Sequence, residues 1–370
     1  MPTADQHGPR GRHTLDELLP SVGGALGVPG FTDVLGLPEA PRFVVMVVDG
    51  LGTSLLRENA ASAPFLSSLH GVDDVVCGVP STTATSLTSL GTGLRAGEHG
   101  MVGYTCRVPA TGERLNSLTW DQPVVPEEWQ PHRTVLELLQ DAGVAASSVN
   151  DAKFAASGLT LCSQRGVPFH GVKSTWERLD VVVEVIESAP RGVIYAYESR
   201  LDHTGHAKGS TSQDWRDALA AVDTDMAEMR AALPPDTVLL VTADHGMVDL
   251  PHTDRFDLDA HPTLREDVVM VAGEARFRHL YTRSGAADDV AARWRRLVGD
   301  RAIVSTQADL GEWFGPIAPE VRGRIGDVVV ASLGEFAVFS SEDFAIEMKM
   351  FGFHGSVTED ELRIPLLVAG

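Results

Sequence analysis

Phe43-Val-Val-Met-Val-Val48 is an uninterrupted apolar run, mostly β-branched, that stops at Asp49-Gly50. A run of this length without alternation fits a strand buried on both faces, the pattern of a parallel sheet covered by helices. Val144–Val149, Val193–Tyr197 and Val238–Thr242 repeat it. Helical patterns lie between them, at 135–140 and over about 212–233, where Trp215, Leu219, Val222, Met226 and Met229 recur at helical spacing. Strands alternating with helices predict an α/β fold with a central, mostly parallel sheet. Residues 1–40 are rich in Gly and Pro and read as an irregular arm with one helix near Leu15–Leu19. Residues 265–332 break the alternation. Candidate strands at 277–281, 302–305 and 326–331 and a helix at 286–298 predict a small α+β insertion, after which 333–370 returns to the core.

The chain has 370 residues and a formal net charge of -21, which disfavours a nucleic-acid scaffold. No apolar run reaches the ~20 residues of a membrane span. The three cysteines, Cys77, Cys106 and Cys162, form no CxxC, and no apolar leader is visible near Met1; both point to a reducing, cytoplasmic setting.

Ligands in open α/β sheets bind beyond the carboxyl ends of the strands. There the chain places Asp49, then Asp202-His-Thr-Gly-His206, then Asp244-His245-Gly. A single Asp after a strand is more often a helix N-cap. Three such clusters at equivalent strand ends instead suggest a divalent metal site of the zinc or manganese type. Asp202 and His206 are four apart, so a helix would put both on one face. The segment Pro80-Ser-Thr-Thr83-Ala-Thr-Ser-Leu-Thr-Ser-Leu-Gly-Thr-Gly93 reads as a hydroxyl-rich loop entering a helix. Helix N-termini favour phosphoryl groups, and a hydroxyl beside a metal can become a nucleophile.

Five motifs occur in order: VVDG at 47–50, PSTT…TSLGTG with Gly97-Glu-His-Gly100, DHTGH at 202–206, ADHGM at 243–247 and FGFHG at 351–355. Together they resemble the alkaline phosphatase superfamily, and its nucleotide pyrophosphatase/phosphodiesterase family most closely. The resemblance implies two divalent metal ions, usually zinc. Asp202, His206 and His354 would hold one; Asp49, Asp244, His245 and the Thr83 hydroxyl would hold the other. It also implies Thr83 as nucleophile and a phospho-threonine intermediate, with two metals about 4 Å apart clamping an in-line displacement.

Ser86 stands where diesterases of the family often carry an Asn, and Thr82 where a Lys-type residue is usual; Asn116 is a candidate substitute. Lys153 could contact a substrate anion, and Trp120 and Trp129 could stack on a base, although buried core positions are commoner for Trp. His99, in the Gly-Glu-His-Gly turn, reads as structural and His203 as a surface group, while His252 and His261 are loop candidates. No basic residue adjoins Thr83, which favours diesters over monoesters. The expected function is therefore hydrolysis of a phosphodiester or nucleotide pyrophosphate in a small phosphorylated substrate. The alternatives are a phosphomonoesterase or phosphonate hydrolase, and, from another class, a non-catalytic phospho-ligand-binding protein. A sulfatase would need Cys-x-Pro-x-Arg, which Cys77-Gly-Val-Pro does not supply.

Overall fold

All four apolar runs become strands of one sheet in the computed structural model, which describes residues 8–370 apart from Arg10 and Asp254. In chain order the strands that matter are β1 (Arg42–Val48), β2 (His70–Gly71), β3 (Ala145–Asp151), β4 (Phe169–Val172), β5 (Gly192–Glu198) and β6 (Thr237–Thr242). Then come β7 (Val268–Glu274), β8 (Phe277–Thr282), β9 (Ala302–Thr306), β10 (Val328–Ser332) and β11 (Leu366–Ala369). The large sheet runs β2-β11-β6-β1-β5-β3-β4. β1 is central and pairs in parallel with β5 and β6, and β3 pairs in parallel with β4 and β5. β11 is antiparallel to both its neighbours, so the sheet is mixed at one side. Phe43 to Val48 are fully buried, as unbroken hydrophobicity requires of a strand covered on both faces.

The helices that matter here are α1 (Leu18–Ala25), α2 (Thr83–Thr92), α3 (Val135–Asp141), α4 (Thr175–Glu187), α5 (Arg200–Lys208), α6 (Gln213–Ala232) and α7 (Ala287–Val298). Ser212 caps α6 by accepting the Trp215 N–H, and its apolar stripe is buried as the spacing predicts.

The amino-terminal arm is more ordered than expected. α1 begins at Leu18 and continues through Gly23 and Gly24, residues that read as helix breakers. Their missing side chains are what the packing needs: a Cβ on Gly24 would lie 2.2 Å from the Asp33 nitrogen. Leu15, Leu18, Leu19 and Val22 join the main core.

Strands β7 to β10 form a second, antiparallel sheet ordered β7-β8-β10-β9. Its own core uses Val271, Leu280, Val290, Trp294, Val304 and Val330, and extends to Leu258 and Phe344. Phe277, Ile303 and Ala331 point the other way, into the main core. This face seals the small sheet against the large one and brings the end of β7 to the edge where β1, β5 and β6 finish.

Candidate active site

Register brings the acidic strand ends together. Val47 lies opposite both Thr242 and Tyr197, so Asp49 and Asp244 each emerge two residues beyond a paired position. Beyond β5 the chain turns into α5, where Asp202 and His206 sit one turn apart on one face. Gly205, between them, is required by contact: a Cβ there would lie 2.2 Å from the Met247 sulfur.

Thr83 is the first residue of α2, after Thr82 in extended conformation at φ -138 and ψ 146. The first helical hydrogen bond runs from the Ser86 N–H to the Thr82 carbonyl at 2.9 Å. The N–H groups of Thr83, Ala84 and Thr85 therefore have no acceptor within the helix, leaving donors and positive potential at the Thr83 end. Ser81 fixes this end to the chain around His354. Its N–H donates to the Gly355 carbonyl, its Oγ donates to the Ser356 carbonyl, and the Gly355 N–H donates back to that Oγ.

The three histidines share one arrangement. His206 Nδ1 faces the Gly352 carbonyl at 2.8 Å, His354 Nδ1 the Ser81 carbonyl at 2.9 Å and His245 Nδ1 the Gly246 carbonyl at 2.9 Å. A carbonyl only accepts, so each Nδ1 carries its proton and each Nε2 presents a lone pair. The Nε2 atoms converge: those of His206 and His354 are 3.2 Å apart, and His245 stacks on His354 with ring centroids 3.6 Å apart. His245 Nε2 is 3.2 Å from the Thr83 hydroxyl.

Carboxylates face these lone pairs. Asp202 Oδ1 is 3.3 Å from His206 Nε2 and 3.7 Å from His354 Nε2, while Asp49 Oδ1 is 3.3 Å and Asp244 Oδ2 3.6 Å from His245 Nε2. Those three oxygens are buried without a hydrogen-bond partner. Acceptors facing acceptors in a dry site repel, and a cation relieves the repulsion. The same crowding moves the titrations. Burial, with Asp202 and Asp244 close by, pushes the Asp49 carboxyl well above its ordinary range. Burial and the neighbouring imidazoles of His245 and His206 push His354 well below its own. The Asp/His donor set thus fits divalent metal of the zinc or manganese type.

Among the described residues, two ligand groups have atoms within 4.8 Å of one another: Asp202 with His206 and His354, and Asp49 with Asp202 and His245. The first is the trio expected from the sequence. The second differs, because Asp202 stands between the groups while Asp244 sits behind His245 and also accepts the Gly50 N–H at 3.2 Å. Tyr197, at the end of β5, donates its hydroxyl to Asp49 Oδ2 and so aims the other oxygen at His245.

Above the centre lies a cavity of about 380 Å³, reached by Asp49, Thr83, Asp202, His206 and His354. Two expected contacts are not on its wall. Asn116 instead accepts the Leu118 and Thr119 N–H groups and shapes its own turn. Lys153 pairs with Asp151 at 3.0 Å, and its side chain is 62% exposed. Trp129 is buried under the Arg324 guanidinium, and the Trp120 Nε1 donates to the Val124 carbonyl; neither lines the cavity. His99 is structural, held between Ser89 Oγ and the Met101 N–H, and His203 is exposed. His252 packs on Phe351 and His261 on Phe256, also away from the cavity.

Tyr104, Asn150, Gln164, Tyr197 and Glu274 line the cavity without having been singled out. Asn150 and Tyr197 had a readable signal, since each stands at the carboxyl end of a buried strand. Glu274, from the last residue of β7, had none. Its Oε2 accepts the Tyr104 N–H at 2.8 Å, its Oε1 has no partner, and burial pushes the carboxyl up to about 8.

Comparison with known proteins agrees with this geometry. The profile of the type I phosphodiesterase / nucleotide pyrophosphatase family matches residues 43–357. Murine ectonucleotide pyrophosphatase / phosphodiesterase 5 superposes with a TM-score of 0.72 at 18% identity, over 89% of this chain and 88% of that one. An inactive threonine-to-alanine form of it, in complex with AMP, gives the same values. The human counterpart gives a TM-score of 0.70 at 18% identity over the same shares. The chain belongs to the type I phosphodiesterase / nucleotide pyrophosphatase family of the alkaline phosphatase superfamily.

Proposed function

We propose that this protein is a two-metal hydrolase that cleaves a phosphodiester or nucleotide pyrophosphate bond through Thr83. One observation carries the reading: the Thr83 hydroxyl, at the start of α2, is 3.2 Å from His245 Nε2, the same nitrogen that the partnerless oxygens of Asp49 and Asp244 approach. Asp202, His206 and His354 would hold one ion, and Asp49, Asp244, His245 and Thr83 the other, with Asp202 near both. Divalent ions there, zinc or manganese by the donor set and zinc by the family resemblance, would supply Lewis-acid polarisation of the phosphoryl oxygens and neutralise developing charge.

The residues themselves supply positioning. Thr83 Oγ1 is directed into the cavity as attacking oxygen, and the free N–H groups of the first turn of α2 bind a non-bridging phosphoryl oxygen. Thr83 Oγ1 gives up its proton to solvent and bonds to phosphorus while the bond to the leaving oxygen breaks, and the leaving group departs as the anion or takes up a proton from water. The phospho-threonine is then hydrolysed by water, which restores the hydroxyl. AMP bound to the murine relative supports a nucleotide as a substrate arm. The three cysteines are buried and unpaired, which supports a reducing compartment.

The test is turnover of bis-p-nitrophenyl phosphate and p-nitrophenyl phosphate by wild type and Thr83→Ala, with and without chelator. Diester turnover that exceeds monoester turnover, and falls about 1,000-fold in the variant and on chelation, is expected. Full activity in Thr83→Ala would remove the assigned nucleophile. Turnover of neither ester, with phosphate compounds still bound, would favour the binding-protein alternative.

A further inference from the structure

The charged residues that line the cavity are Asp49, Asp202, Glu274 and Glu347, with His206 and His354; no Lys or Arg lines it among the described residues. The first two acids and both histidines belong to the metal centre. Glu347 is taken up by Arg278, and Glu274 has a partnerless oxygen. The remaining wall is largely apolar and includes Leu87, Leu118, Leu159, Ile346, Met350 and Phe353. Ile346 and Leu118 are 64% and 44% exposed, so the apolar surface continues to the mouth.

An anion leaving water needs a cation or several donors to replace its hydration. At the metal centre one phosphoryl group finds both. A further phosphate on the same substrate would meet aliphatic side chains, carboxyl groups, and polar side chains already engaged locally: Ser157 Oγ donates to Thr160 Oγ1, Gln164 bonds to Ser148 and Ser163, and Asn150 Oδ1 accepts the Asp151 N–H. An alkyl, aryl or uncharged sugar-base arm would instead bury apolar surface, which favours binding.

Resting on the proposed function, we infer that the cavity selects a phosphodiester whose second arm is apolar and carries no further phosphate. Nucleoside di- and triphosphates are then poor substrates, and the apolar wall formed by Ile346 and Leu118 contacts the non-reacting arm.

Three substrates that share a p-nitrophenyl leaving group test this: the hexyl phosphodiester, the thymidine 5′-phosphodiester and its 3′-phosphorylated form. The expected order of kcat/KM is hexyl at or above thymidine, with the 3′-phosphorylated ester about 100-fold lower. Equal or preferred turnover of the phosphorylated ester overturns the inference and leaves the proposed function standing. Turnover of none of the three overturns the proposed function and the inference with it.

Ile346→Lys adds a cation at an exposed position where folding tolerates it. It is expected to lower kcat/KM for the hexyl ester and raise it for the phosphorylated ester, each by about 10-fold, with the gain lost at high salt. An unchanged ratio in this variant places the arm elsewhere and refutes the wall contact.

Discussion

Replacing Glu274 by Gln tests the physics of the cavity without touching a metal ligand. Glu274 is buried where the neighbouring cations are already engaged: Arg278 pairs with Glu347, and Arg276 holds Glu361 with both nitrogens. The Tyr104 N–H and Arg278 favour its charged form, while Glu347 and Glu361 oppose it; burial outweighs all of these and raises the carboxyl from 4.5 to about 8. Across that window the folded chain keeps a proton that the unfolded chain releases. Stability therefore falls as pH rises from 4.5 to about 8, and the full interval corresponds to about 5 kcal/mol. Gln keeps an acceptor for Tyr104 and removes the titration. Its amide N–H groups cost about 1–3 kcal/mol if they find no acceptor, but that cost does not vary with pH. The assay is urea unfolding of wild type and Glu274→Gln at intervals from pH 5 to 7. Gln is expected to gain on wild type by about 3 kcal/mol over that range, because all other titrating groups cancel in the difference. A difference that stays constant within about 0.5 kcal/mol would show that Glu274 ionises as an ordinary carboxylate, and the account of its burial would be wrong.

Tyr197→Phe removes the hydroxyl that orients Asp49; metal titration should show affinity about 10- to 100-fold weaker at one of two sites, with the fold intact. Ser81→Ala breaks the Oγ clasp to Gly355 and Ser356; about 1–3 kcal/mol of stability should be lost on thermal unfolding, and kcat should fall more than KM rises. Gly205→Ala forces a Cβ against the Met247 sulfur; a loss of about 1–3 kcal/mol is expected, together with weaker metal binding as His206 shifts.

Much of this site was legible because its residues sit where two regular patterns end. Asp49 and Asp244 close buried β-branched runs, and Asp202 and His206 share a helical face, so strand and helix periodicity alone predicted their meeting. His354 carried no periodic signal and entered only through its resemblance to a motif. The sharing of Asp202 between both ligand groups depends on sub-ångström side-chain placement that no spacing encodes. Glu274 was illegible for another reason. It reaches the cavity through the packing of a second sheet, and a lone Glu after a strand looks like any exposed acid. Asn116 and Lys153 lie off the cavity wall, where local partners engage them: the Asn116 turn and the Asp151 carboxylate. The Gly-rich composition of residues 1–40 read as an irregular arm, where Gly23 and Gly24 instead permit close packing of a helix.

The last strand, Leu366–Ala369, does not lie at an edge; it stands between β2 and β6, antiparallel to each. During synthesis the edge of β6 therefore stays open to unwanted pairing until Leu366–Ala369 has followed it out of the ribosome. His354, supplied just upstream, arrives at nearly the same moment. A nascent chain thus cannot complete the candidate metal centre before His354 has emerged, and truncation before residue 366 would leave β6 with an unpaired edge.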